Sequence, residues 1–230
     1  HFSHVIPDET DIYYADGQVR GENYVLTSFL GSKMHHAGVR CMDCHEPHTG
    51  KTLQTGNALC MRCHTGTYPN SPKIDPPTHT HHALNGPGGQ CVNCHMPETT
   101  YMQRDPRRDH GFTIPDPLLT KEHGIPNACN RCHADKDADW ALAAVEKWYG
   151  PRMNRPARQR ARIIAQARES RDDSRDDLLQ LLREEKTPFW KAVATELIHP
   201  WAGDPEVATT LLDNLASTNA LLRGTTARAL

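Results

Sequence analysis

The sequence has few of the apolar side chains from which globular proteins build a core. Only 37% of its 230 residues are hydrophobic and 6% are aromatic, and the mean hydropathy is -0.69. These values are low for a chain with room for one large domain or two ordinary ones. Something other than aliphatic side chains must therefore fill part of the interior.

Strong net charge and long apolar segments are also absent. The formal net charge is -2, so no global basic field attracts nucleic acid, and we expect no nucleic-acid partner. No apolar run approaches the roughly 18 residues of a membrane helix, so no transmembrane segment is predicted. The chain begins at His1 without a methionine, and we interpret it as a processed or partial chain.

Cysteine and histidine, in contrast, are concentrated in four short motifs. All eight cysteines belong to Cys-x-x-Cys pairs, and a histidine directly follows each pair. No cysteine is left over. The cysteines are Cys41, Cys44, Cys60, Cys63, Cys91, Cys94, Cys129 and Cys132, and the histidines are His45, His64, His95 and His133.

Cys-x-x-Cys-His is the signature of covalent haem attachment. Two cysteines three positions apart lie on one helical turn, so their sulfurs can form thioethers with the two vinyl groups of one porphyrin. The adjacent histidine then supplies the proximal nitrogen to the iron. We therefore predict four haem c groups. Zinc ribbons and disulfides also use paired cysteines, but neither requires a histidine after every pair.

The other histidines cluster near the motifs and provide candidates for the distal position of each iron. An iron that only passes electrons needs a distal ligand, whereas an iron that binds substrate keeps an open position. We expect all four haems to be bis-histidine, with distal ligands His36, His48, His82 and His110. The alternatives are His35, His79, His81, His123, His1 and His4. Met34, Met96 and Met102 could instead give His/Met ligation.

Two groups of arginines have different predicted roles. Arg104, Arg107 and Arg108 lie beside His110, so we expect them to pair with haem propionates. The arginines from Arg152 to Arg175 are expected to form a solvated helical face.

The composition divides the chain into two predicted domains. Residues 1–150 form a predicted tetrahaem cytochrome domain. Within it, the Gly- and Pro-rich stretch 41–135 should hold little regular structure beyond one helical turn at each motif. An amphipathic helix is predicted at 139–149, before Gly150 and Pro151.

Residues 151–230 are predicted to be an α-helical domain of HEAT-like repeats. Helices are expected near 156–170, 174–185, 188–199, 205–216 and 219–230, and the pattern that begins at Phe189 returns at Leu221. Repeats bury their apolar faces on neighbours, so we expect the last helix to have a partner. The predicted fold class is mainly α with much irregular loop.

Several segments together resemble one protein family. They lie between about residues 11 and 150, at 32–41, 43–48, 57–60, 94–97, 101–102, 105–110 and 126–129. These segments resemble bacterial multihaem cytochromes with doubled CxxCH motifs, which are related to the tetrahaem cytochromes of ammonia oxidation and to multihaem nitrite reductases. Such proteins often end in HEAT or tetratricopeptide repeats.

The resemblance implies bis-histidine haems packed in close parallel and perpendicular pairs. It supports His36, His48, His82 and His110 as ligands, whereas His123 has no counterpart in the family. Family members usually carry further haem motifs upstream, and this sequence has none. It also has no CxxCK motif, the usual mark of a nitrite-reducing site, so catalysis is disfavoured.

Three functions are compatible with these features. The favoured one is electron transfer by an exported protein, periplasmic or extracellular, because haem is attached to exported apoproteins with reduced thiols. Its partners would be redox proteins or further copies of itself. The second is a protomer of an extracellular filament, a homopolymer in which His1 or His4 could ligate a neighbour's haem. The third is a reductase of a small nitrogen oxyanion, which requires an open iron.

Overall fold

The structure is a computed structural model and describes residues 10–170 and 172–230. The described part is 54% helix and 5% strand, with much loop, which confirms the predicted mainly α class. None of its helices is long and apolar enough to cross a membrane. The alternative ligands His1 and His4 lie outside the described residues.

The described residues form fourteen α-helices and one two-stranded sheet. The helices are α1 Val25–Leu30, α2 Lys33–His36, α3 Cys41–Cys44, α4 Asn57–Met61, α5 Pro76–Thr80, α6 Cys91–His95, α7 Pro117–His123, α8 Ala128–Cys132, α9 Ala138–Tyr149, α10 Pro156–Glu169, α11 Arg175–Glu184, α12 Pro188–Ile198, α13 Pro205–Asn214 and α14 Ala220–Ala229. Short 3₁₀ turns follow α5, α9 and α12.

Each Cys-x-x-Cys-His motif overlaps one short helix, although α4 ends at Met61 and leaves Cys63 and His64 in the turn that follows it. These helices are α3, α4, α6 and α8. Local hydrogen bonds fix where two of them begin: the Asp43 carboxylate accepts from the Arg40 N–H at 2.7 Å, and the Asn127 side chain accepts from the Asn130 N–H at 3.1 Å. Such caps satisfy backbone groups that have no partner in the first turn.

The expectation of little other regular structure in 41–135 is wrong. Strands β1 (Glu98–Tyr101) and β2 (Asp105–Arg108) form an antiparallel hairpin, and α5 and α7 lie between the motifs. The hairpin turn places Met102 and Gln103 at φ values of 50° and 61°. This conformation usually requires Gly or Asn, so these residues do not indicate a turn. The prolines that suggested loops instead begin α5 and α7, where a missing N–H costs nothing.

Helices α9 to α14 agree with the predicted ranges to within two residues. Helix α12 packs on both α11 and α14, and α13 packs on α11 and α14. The pattern shared by the segments at Phe189 and Leu221 therefore lies on two neighbouring helices. Their core includes the fully buried side chains of Ile164, Leu178, Leu182, Val193, Ile198 and Leu211. The HEAT assignment and the domain boundary at 150 stay predictions.

The two halves of the chain are joined by buried polar contacts. Asp116, which precedes α7 and has a side chain 5% exposed, binds Arg158 of α10 through two hydrogen bonds of 2.7 and 2.8 Å. Arg155 binds the same carboxylate at 3.2 Å. Within the second half, Arg160 pairs with Glu185 at 2.9 Å and lies over the Trp190 ring. The predicted solvated arginine face is therefore wrong for these three arginines, which the rest of the fold covers.

Candidate haem centres

The four motif helices form a connected series in space. Arg62 after α4 donates to the Asp43 carbonyl of α3 at 2.8 Å. Asn57 of α4 donates to the Gly89 carbonyl at 2.7 Å and accepts from the Cys91 N–H of α6 at 2.9 Å. Helix α6 packs against α8. Each motif is thus in spatial contact with the next motif along the chain.

The cysteines of successive motifs are also neighbours. No disulfide joins any of the eight, all of which the structure describes. A hydrogen bond between the Cys60 and Cys91 thiols, stronger here than burial, raises the pKa of Cys60 and lowers the pKa of Cys91 to about 7. Burial, and then the nearby Cys129, raises the pKa of Cys94 to about 11. Burial by itself favours the uncharged form of each sulfur.

Three of the motif histidines are oriented by backbone carbonyls. The Nδ1 atom of His45 lies 2.8 Å from the Gly50 carbonyl, and that of His95 lies 2.8 Å from the Thr113 carbonyl. For His64 the partner is the Pro72 carbonyl at 3.1 Å. Because a carbonyl only accepts, Nδ1 must donate and Nε2 is left without its proton. This is the usual arrangement of a metal-binding histidine.

Three motif histidines each face a second histidine. The ring centroids of His45 and His110 are 6.1 Å apart, those of His95 and His79 are 6.1 Å apart, and those of His133 and His82 are 6.3 Å apart. Two imidazoles that bind one metal ion from opposite sides, with metal–nitrogen bonds of about 2 Å, have centroids about 6 Å apart. Each pair therefore matches the spacing of a bis-histidine iron.

Two of the facing histidines repeat the carbonyl arrangement. His82 Nδ1 lies 2.5 Å from the Thr80 carbonyl, and His110 Nδ1 lies 2.9 Å from the Arg108 carbonyl. Burial lowers the pKa of His110, and burial followed by repulsion from His95 lowers the pKa of His79. Both effects favour the neutral imidazole, the form that binds iron.

Helix α9 supports the segment that carries His79 and His82. The Tyr149 hydroxyl donates to the His79 carbonyl at 2.5 Å. Trp148 stacks on His81 with centroids 4.5 Å apart and meets His82 edge-on. His81 therefore packs on α9, while His79 and His82 face motif histidines.

The predicted distal ligands divide into two groups. His82 and His110 face motif histidines, whereas His79, an alternative in the sequence, holds the position opposite His95. The described ring contacts bring neither His36 nor His48 to a motif histidine. The ring nearest His36 is that of His35, at 5.2 Å, and the His48 N–H donates to the Glu46 carboxylate. Ligation itself stays a prediction for all of these residues.

The other alternative, His123, lies in a different environment. Its side chain is mostly buried, and Nδ1 is 3.3 Å from Glu169. His35 packs edge-on against Phe29, with centroids 5.3 Å apart. Neither contact involves a motif histidine.

The three predicted propionate partners are placed differently from one another. Arg107 pairs with Asp105 at 2.7 Å and lies over the Tyr101 ring. Arg108 donates to the Val92 and Met96 carbonyls at the end of α6. Arg104 is exposed in the hairpin turn. Their contacts with propionates stay predictions.

The donor set fits haem. Nowhere in residues 10–170 and 172–230 do three or more His, Cys, Asp or Glu side chains converge as they would around a bare metal ion. A haem iron takes four nitrogens from its porphyrin and needs at most two from the protein, which the facing pairs provide. The Cys-x-x-Cys turn beside each pair would supply the attachment.

No protein-family model matches the sequence, and no curated protein matches it. One solved structure, the crystal structure of outer cell wall cytochrome OcwA, is similar with 15% identity and a TM-score of 0.33. The match covers 96% of this chain and 53% of that one, so this chain spans about half the length of that cytochrome. At this identity and score, the likeness assigns neither a function nor a ligand.

Proposed function

We propose that this chain is an electron-transfer protein that carries four haem c groups. Its eight cysteines would form the thioethers, and His45, His64, His95 and His133 would be the proximal ligands. His110, His79 and His82 would complete the irons of His45, His95 and His133. When bound, haem c supplies an iron that changes between the ferric and ferrous states.

The observation that carries the proposal is the set of three facing histidine pairs, with centroids 6.1 to 6.3 Å apart. Each pair includes the histidine of a Cys-x-x-Cys-His motif. The partner comes from 16, 51 or 65 positions away in the sequence, so no local turn accounts for the pairing. Backbone carbonyls hold the Nδ1 atoms of four of these rings, those of His45, His82, His95 and His110, which leaves their Nε2 atoms available to bind iron.

Such pairs suit electron transfer better than substrate binding. Two imidazoles on one iron leave no coordination position for a substrate. Carbonyl hydrogen bonds hold four of the six rings in one orientation, so these ligands need to move little when the charge at the site changes. The residues thus favour transfer at closed sites.

Covalent attachment implies export, and we propose a periplasmic or extracellular location. Partners would then be redox proteins or further copies of this chain. Electron micrographs of the purified protein separate these cases: discrete particles support the carrier, and filaments support the homopolymer.

Two measurements on the mature protein test the proposal. The pyridine haemochrome spectrum, with the protein concentration determined independently, should give four haems per chain. Ferric electron paramagnetic resonance should show low-spin signals from the three paired sites. A protein that binds zinc instead, or that carries no covalent haem after maturation in a host that attaches haem c, would contradict the proposal.

The His64 site favours a second candidate function, reduction of a small nitrogen oxyanion. Among the described ring contacts, His64 is the motif histidine that faces no second histidine. An open position at that iron would bind carbon monoxide or cyanide at neutral pH. Spectra unchanged by both ligands would reject this candidate and would indicate that a further side chain, such as His36 or His48, completes the site.

A further inference from the structure

A six-residue segment, 108–113, connects two of the proposed haem centres. We refer to it as the 108–113 strap. At one end, His110 faces His45 with ring centroids 6.1 Å apart. At the other end, the Thr113 carbonyl accepts from Nδ1 of His95 at 2.8 Å. The strap therefore contacts the distal side of one centre and the proximal histidine of another.

The strap is also fastened to the motif helix that carries His95. Arg108 donates to the Met96 carbonyl at 3.1 Å and to the Asn93 side chain at 3.1 Å. The N–H of Asp109 donates to the Pro97 carbonyl at 2.9 Å. Movement of the strap would therefore be transmitted to α6 as well as to His110.

One buried carboxylate fixes the strap's shape. Asp109 is 4% exposed. Its Oδ1 accepts from the Gly111 N–H at 2.8 Å, which closes a turn within the strap. Its Oδ2 accepts from the Val19 N–H at 2.8 Å, which ties the strap to the amino-terminal segment.

The strap needs this support because its backbone is strained. Phe112 has a φ of 48°, in the left-handed region that side chains with a Cβ disfavour. The hydrogen bonds of Asp109 act directly beside this residue. Without them, the turn is free to relax at both His110 and Thr113.

We propose that Asp109 is a positioning residue for two haem centres at once, those of His45 and His95. This inference rests on the proposed function. Asp109 touches neither imidazole pair through its carboxylate and acts through the strap. Loss of the carboxylate should therefore change two centres together and leave the centres of His64 and His133 unchanged.

The test is proton NMR of the ferric mature protein, in which the hyperfine-shifted haem methyl resonances report the orientation of the axial imidazoles at each iron. The substitution His110→Met identifies the resonances of the His45 centre, and His79→Met identifies those of the His95 centre. Asp109→Ala should shift both of these sets. Asp109→Asn, which keeps one acceptor oxygen, should shift the same two sets by less.

A milder variant serves if Asp109→Ala does not fold. A Cβ at Gly111 would lie 3.2 Å from Asp109 Oδ1, so Gly111→Ala presses on the same carboxylate and should shift the same two sets slightly. Asp204→Ala is the matched control, because the Asp204 carboxylate also accepts from two backbone N–H groups, those of Glu206 and Val207 at the start of α13, and none of its described contacts involves the strap. It should shift neither set.

The outcomes separate this inference from the proposed function. If the wild-type protein binds four haems and Asp109→Ala or Gly111→Ala shifts one set, no set or all four sets equally, the inference is wrong. If the wild-type protein binds no haem, the proposed function itself fails. Shifts confined to the two named centres support the inference.

Discussion

The stretch 41–135 and the helical stretch 138–230 differ in how much hydrophobic side-chain surface they bury. In the fully described range 41–135, the buried hydrophobic residues are Tyr101, Leu119 and Ile125. The helical stretch buries a continuous set of Leu, Ile, Val and Ala side chains. The contrast indicates that the motif region needs apolar surface that its own side chains do not supply, and four haems would provide it.

Hydrogen bonds fix the loops of the motif region, but they cannot replace a core. Ser71 donates to the Cys63 carbonyl at 2.9 Å, and Asn130 donates to the Lys136 carbonyl at 2.8 Å. Each such bond contributes a net stabilisation of only about 1 kcal/mol. Helices α10 to α14 should therefore be stable without haem, and the motif region should not.

The largest expected effect comes from preventing haem attachment. Replacement of all eight cysteines with alanine should leave 41–135 without fixed structure while α10 to α14 persist, because only the second region buries its own core. Hydrogen exchange followed by mass spectrometry measures the two regions separately. Equal protection of 41–135 from hydrogen exchange in the mature and haem-free proteins would show that this region does not depend on haem, contrary to the account.

The next effect concerns the junction between the two regions. Asp116→Ala leaves Arg155 and Arg158 covered and unpaired, so we expect it to lower the free energy of unfolding by about 3 to 5 kcal/mol. Denaturant titration of the mature protein measures this loss. Asp139→Ala, which removes an exposed pair with Lys121, should cost at most about 1 kcal/mol. Similar losses in the free energy of unfolding for both variants would show that the buried pairs of Asp116 stabilise the protein no more than an exposed ion pair does.

A substitution in the helical core should have an effect of similar or smaller size. Leu182 is fully buried, so Leu182→Ala should lower the free energy of unfolding by about 2 to 5 kcal/mol through lost burial and a cavity. Leu212 is 56% exposed, and Leu212→Ala should change it by at most about 0.5 kcal/mol. The haem-free protein should show the same difference, since this core does not depend on haem.

The smallest effect depends on pH. Burial raises the pKa of Asp16 from 3.8 to about 6, so the folded protein binds more protons than the unfolded chain between these values. Stability should therefore fall as pH rises through this window. Asp16→Asn should remove a dependence on the order of 1 to 2 kcal/mol between about pH 4 and pH 7.

The sequence predicted the helical stretch better than the motif region, for a physical reason. Periodic apolar positions and clear stops define α9 to α14, so their ranges could be placed closely. The hairpin could not be predicted, because its turn uses Met102 and Gln103 in place of Gly or Asn. Prolines at the first positions of α5 and α7 suggested loops, although they begin helices there.

The motif histidines and cysteines were evident from spacing alone, whereas their partners were not. The choice between His79 and its neighbours depends on a small backbone rotation near His81, which has a φ of 54°. His110 lies opposite His45 because the chain after the hairpin passes close to the first motif. No local sequence pattern predicts this approach. The sequence favoured His36 and His48 because they flank the first motif, but nearness in sequence did not bring them to a motif histidine.

An experimental structure of the mature protein, showing which nitrogen completes each iron, tests the central claim most directly. The account predicts four covalently attached haems, with Nε2 of His110, His79 and His82 bound to the irons of His45, His95 and His133. Different ligands at these three irons, or cysteines that bind zinc or form disulfides, would contradict it.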